Sequence, residues 1–174
     1  MQLDIFEFAQ SKNTLSGDVS LSEMPELAKT LAGEKKTADV QFVLSPRSGE
    51  KGLPAVELSI QATITTACVY CGEPCKIVIE KDIPFLLTET EEEADGLPIE
   101  EDGPFDVIVG SRKFDLTHLI EEELLLSLPA FPRHDVCKVQ PQTQTEEDGA
   151  DLPENNKPFS GLSELIKTKT KNGS

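Results

Sequence analysis

The 174-residue chain carries 32 acidic against 16 basic residues, a formal charge of −16, with 37% apolar and 5% aromatic residues and no tryptophan. That balance argues against binding through a broad basic face, because nucleic-acid affinity rests largely on Lys and Arg displacing counterions. With 12 prolines and 11 glycines, the composition implies one small core with polar appendages rather than a chain packed throughout.

Met1-Gln-Leu-Asp-Ile-Phe-Glu-Phe has acids where a secretory signal needs bases and an apolar run, and no stretch reaches transmembrane length. The expectation is a cytoplasmic protein without membrane association, whose four cysteines stay reduced and serve as metal ligands or redox groups rather than disulfides.

Leu21, Met24, Leu27, Ala28 and Leu31 fall at helical spacing, with Pro25 acceptable only in the first turn and Gly33 placed to cap the end. Turn-forming residues 45–54 link two strand-like segments. In the second of these, Val56, Leu58, Ile60, Ala62 and Ile64 alternate with polar residues, the period of a half-buried strand. It runs into Cys68-Val-Tyr-Cys71-Gly-Glu-Pro-Cys75, after which Ile77, Val78 and Ile79 resume a strand; Gly72 and Pro74 supply turn chemistry, so the thiols belong at a hairpin tip.

Residues 89–103 hold eight acids and no base and read as a mobile acidic loop. Phe105, Val107 and Val109 alternate as another strand. Asp115 then caps a helix with Leu116, Leu119, Ile120 and Leu124 as its apolar stripe and Glu121 to Glu123 opposite; Leu124, Leu125, Leu126 and Leu128 crowd its deeply packed end, and Pro129 and Pro132 stop it. Residues 138–157 form a polar, acidic linker, followed over 158–174 by Phe159, Leu162, Leu165 and Ile166 at helical spacing. The fold expected is α+β: a mainly antiparallel sheet with a packed helix over residues 1–137, then the linker and a terminal segment.

Cys68 and Cys71 have the spacing of two thiolates on one metal, but tetrahedral zinc takes four ligands. His134 and Cys137, again three apart, complete a set of three sulfurs and one imidazole around one structural zinc ion, with Cys75 as an alternative fourth ligand. A thioredoxin-like role fits less well, since such a pair opens a helix whereas this one follows a strand. His118, between Leu116 and Leu119, reads as an ordinary helix residue. No phosphate-binding loop, nucleophile elbow or zinc-protease motif occurs. The reading is of a non-enzymatic protein without a small-molecule substrate.

Three segments together resemble the YceD family, the large ribosomal RNA subunit accumulation proteins. They are Cys68-Val-Tyr-Cys71-Gly-Glu-Pro; Glu121-Glu-Glu-Leu-Leu-Leu-Ser-Leu-Pro129-Ala-Phe-Pro132-Arg-His134-Asp-Val-Cys137; and Asn156-Lys-Pro158-Phe159-Ser-Gly-Leu162-Ser-Glu-Leu165. Tyr70 stands where the family usually has Arg, and Lys157 interrupts its Asn-Pro-Phe. The resemblance implies a factor promoting 23S rRNA synthesis, processing or accumulation. Acidity adds the expectation of a basic large-subunit ribosomal protein as partner, or of precursor 23S rRNA reached directly or through one. The competing functions are a nuclease using carboxylates on Mg²⁺ and a zinc carrier or sensor.

Overall fold

A computed structural model describes residues 1–97 and 103–137; the expected linker and terminal segment lie outside them. In chain order the elements are β1 (Gln2–Leu3), α1 (Ile5–Gln10), β2 (Leu15–Ser20), a 3₁₀ turn (Leu21–Glu23), α2 (Pro25–Thr30), β3 (Thr37–Arg47), β4 (Ala55–Ala67) and β5 (Pro74–Thr88). They continue with α3 (Glu91–Asp95), β6 (Asp106–Val109), β7 (Phe114–Asp115) and α4 (Leu116–Ser127). This is the expected α+β fold. Five strands form one sheet in the order β2-β3-β4-β5-β6, antiparallel except for β5 and β6, and β1 pairs with β7 in a separate ribbon.

The core follows from the period of two. Phe42 faces Ile60 across β3 and β4, and Leu58 and Ala62 face Ile83 and Ile79 across β4 and β5, so all six side chains share one buried face. Each large one contributes roughly 1.5–3 kcal/mol by leaving water. Helix α4 adds Leu116, Leu119, Ile120 and Leu124, and Ile5, Met24 and Leu27 complete the cluster.

Parallel pairing of β5 with β6 needs a long connection. Residues 89–105 provide it, and they contain α3, capped by the Thr90 hydroxyl accepting from the Glu93 N–H. The expected mobile loop is thus helical over part of its length, because three acids in the first turn complement the helix N-terminus. In β6 the expected stripe is on the wrong face. Val107 and Val109 are exposed, and Ile108 is the residue packed on the core.

The early helix splits in two. Pro25 sits in the first turn of α2 as required, but the preceding turn is 3₁₀, closed by a Ser20/Glu23 capping box. Gly33 lies two residues beyond the cap at Leu31 with φ of +91°, in the left-handed region glycine tolerates. Helix α4 begins as expected, with Asp115 accepting from the N–H groups of Thr117 and His118.

One expectation about α4 fails and another holds only in part. Glu121 and Glu123 are buried rather than facing solvent, because Glu121 accepts from the backbone of α2 and Glu123 pairs with Lys81 at 3.1 Å. The leucine-rich end departs from expectation at one position only, since Leu125 and Leu128 also pack against the core. Leu124 is buried, but Leu126 is 78% exposed, which places it on the outer side of the last turn. Among the described residues no helix is long and apolar enough to cross a membrane.

Candidate metal centre

The longest strands of the sheet, β4 and β5, form a hairpin with Ala67 paired to Pro74, so residues 68–73 make its tip. The Cys68 N–H donates to the Glu73 carbonyl at 2.9 Å and the Gly72 N–H to the Cys68 carbonyl at 2.9 Å. Gly72 has φ of +72°, which lets the chain reverse immediately after Cys71. The second segment comes from the end of α4. Pro129 and Pro132 prevent the helix from continuing, and the chain turns back until the Pro132 carbonyl accepts from the Val69 N–H at 2.9 Å.

That bond joins the two segments and sets their donors face to face. One ligand atom from each of Cys68, Cys71, His134 and Cys137 lies within 4.8 Å of every other. Cys68 and Cys137 Sγ are 3.9 Å apart, and Cys71 Sγ is 3.6 Å from His134 Nδ1. Tetrahedral zinc with ordinary bond lengths would set two sulfurs about 3.8 Å apart and a sulfur and a nitrogen about 3.5 Å apart. Two of the six donor pairs thus stand at the spacing of such a tetrahedron, and all six lie within 4.8 Å. His134 Nε2 is 3.0 Å from the Pro74 carbonyl, the kind of outer hydrogen bond that fixes a ligating imidazole and leaves Nδ1 for the metal.

The electrostatics point the same way. Burial pushes the Cys68 thiol up, but the backbone N–H groups of Cys71, Tyr70 and His134 aimed at it, with the Cys71 thiol, outweigh burial and bring it down to about 6. At Cys71 the Glu73 N–H acts downward, yet burial and the sulfurs of Cys137 and Cys68 leave it raised. His134 is raised, first by the Pro74 carbonyl and then by the Cys137 thiol. One sulfur is prepared to ionise while its neighbour is held back, as expected where negative charges converge without a cation. A bound divalent metal would stabilise the thiolates together.

All four residues singled out by spacing are therefore brought together. Cys75 is outside the four; it lies buried at the start of β5, and burial raises its thiol. His118 is 62% exposed and pairs with Glu122 at 3.2 Å on the surface of α4. The functional detail sequence reasoning missed is the Pro74 carbonyl, since a backbone acceptor leaves no mark in residue type.

The hairpin of the sheet and the end of α4 thus place this chain among α+β proteins that bring three thiols and an imidazole close enough together to bind a metal ion. Residues 56–166, more than half of the chain, match the family described as large ribosomal RNA subunit accumulation protein YceD, and the chain belongs to that family. A relative from Haemophilus influenzae, named large ribosomal RNA subunit accumulation protein YceD, is 27% identical over 147 residues, covering 83% of this chain and 82% of its own length. No solved structure matches the chain.

Proposed function

We propose that this protein promotes the accumulation of large-subunit ribosomal RNA, and that it does so by binding rather than by catalysis. The observation that carries the proposal is the family match, whose span includes both cysteine segments and the helix between β6 and His134. In this reading one zinc ion is structural. It fastens the β4–β5 hairpin tip to the end of α4, and Cys68, Cys71, His134 and Cys137 are its ligands.

The chemistry of the other polar groups supports a binding role. The buried carboxylates are committed: Glu121 to the backbone of α2, Glu123 to Lys81. A nuclease would need such fixed acids free to hold Mg²⁺. The bonds from Val69 to Pro132 and from His134 to Pro74 favour permanent retention of a metal over the ready exchange of a carrier.

The test is the ratio of 23S to 16S rRNA, with precursors resolved, in cells lacking the protein and in cells where it is restored. Selective loss of 23S, reversed by the native chain and by no chain that has lost the cysteine cluster, is the expected result. An unchanged ratio would overturn the proposal.

A further inference from the structure

Ten large hydrophobic side chains are exposed among the described residues, and four of them, Val69, Tyr70, Phe131 and Val136, lie in the hairpin tip and in the segment that follows α4, with Leu126 in the last turn of that helix. The exposure is substantial: 73% for Phe131 and 88% for Val136. Apolar side chains scattered singly over a surface need no explanation, whereas a concentration in two adjoining segments does.

The backbones that carry these residues are also fastened together. The Val69 N–H donates to the Pro132 carbonyl, next in sequence to Phe131, and the sulfurs of Cys68 and Cys137, the neighbours of Val69 and Val136, lie 3.9 Å apart. Two short turns fastened to each other lose little entropy when a partner covers them, which is the economy of a preorganised interface.

We infer that this apolar cluster is a docking surface for a Lys/Arg-rich protein segment that carries an apolar or aromatic anchor. The choice of occupant follows from charge. The chain bears −16, and the two turns carry no basic patch of their own, the exposed Glu73 and Asp135 being balanced by Arg133 and Lys76. RNA stacking on Tyr70 and Phe131 would lack the cations that normally neutralise its phosphates. A second copy would bring the same strong negative charge. A basic segment meets neither obstacle, and its Lys or Arg side chains can lie over the faces of the two exposed aromatics. The inference deepens the binding role proposed above by naming the chemical class of the partner.

The experiment replaces Phe131 in the full-length chain with the photo-cross-linker p-benzoylphenylalanine, in living cells, with the same group at Val78 on the outer face of the sheet as a control. The expected result is an adduct at position 131, absent at 78, whose partner peptide sequenced by mass spectrometry is rich in Lys and Arg around an apolar anchor. Tyr70→Ser with Val136→Ser should lower its yield by about fivefold or more, with native mass spectrometry showing the metal retained; if that pair loses metal, Leu126→Ser serves instead. An adduct with RNA, with a second copy, with another part of the same chain, or with an acidic protein would overturn the inference, as would no adduct or equal labelling at 78. A normal 23S ratio alongside the expected adduct would sink only the rRNA function. Loss of 23S alongside an RNA adduct would sink only the basic-protein surface.

Discussion

Cys68 and Cys137 are 69 positions apart in sequence, yet their sulfurs lie 3.9 Å apart. The first stands at the end of a strand and the second beyond the end of a helix, so a metal shared between them would tie sheet to helix. Cys68→Ser and Cys137→Ser are each expected to abolish retention of zinc and to lower the Tm by about 10 °C or more, since the binding free energy of a metal that ties two segments together counts toward folding. Native mass spectrometry of protein purified without chelator, paired with thermal melts, checks both. Retention of one zinc by either variant would count against the four-ligand site.

Cys75 provides the internal control. It is buried but outside the cluster, so Cys75→Ala should keep one zinc per chain and cost about 1 kcal/mol or less. Metal loss in this variant would bring Cys75 back as a ligand.

Acid should loosen the metal-free site in a defined window. Folding lowers the Cys68 thiol from 9.0 to about 6, so the folded chain holds that proton less tightly than the unfolded chain does. The stability this contributes is complete above pH 9, declines as pH falls and is gone below about 6. Thiolate absorbance of chelator-treated protein should therefore show a step of one sulfur near pH 6, absent in Cys68→Ser.

The start of α2 depends on a residue far along the chain. Met24 has no side-chain oxygen with which to cap it, and Pro25 has no N–H, so the free N–H groups of Glu26 and Leu27 are taken by Glu121 at 2.6 and 2.9 Å. Removing a buried charged acceptor that serves two donors should cost about 2–3 kcal/mol in Glu121→Ala, and less in Glu121→Gln, which keeps an oxygen. Urea denaturation measures both, and equal costs would refute the capping role.

Gly110 donates to the Thr88 carbonyl at 2.8 Å, and a Cβ there would lie 2.7 Å from Phe6 and 2.9 Å from Ile5. Gly110→Ala should destabilise by about 1–3 kcal/mol because α1 must shift. A neutral substitution would show that α1 moves freely.

How far the sequence disclosed this arrangement depends on what kind of signal each part leaves. Strand β4 was legible because one face is buried and the other is polar, and α4 because Asp115 caps an apolar stripe. The cluster was legible because its two Cys/His pairs each keep a local spacing of three. Strand β6 misled because its outer valines alternate as regularly as an inward face would. Glu121 and Glu123 misled because an acid joined to a distant backbone looks, in sequence, like an acid in water. The β1–β7 ribbon and α1 left too few residues to form a period.

The cluster also has an order in time. Its first two donors are synthesised 63 or more positions before the last two, and chains generally fold as they emerge, amino-terminal parts first. A chain paused anywhere before residue 134 can offer a metal only half a coordination shell, however well its hairpin has formed. Tight metal capture would then mark a molecule whose sheet and closing helix are both in place, and the surface carried on the two turns would exist only on copies synthesised past residue 137.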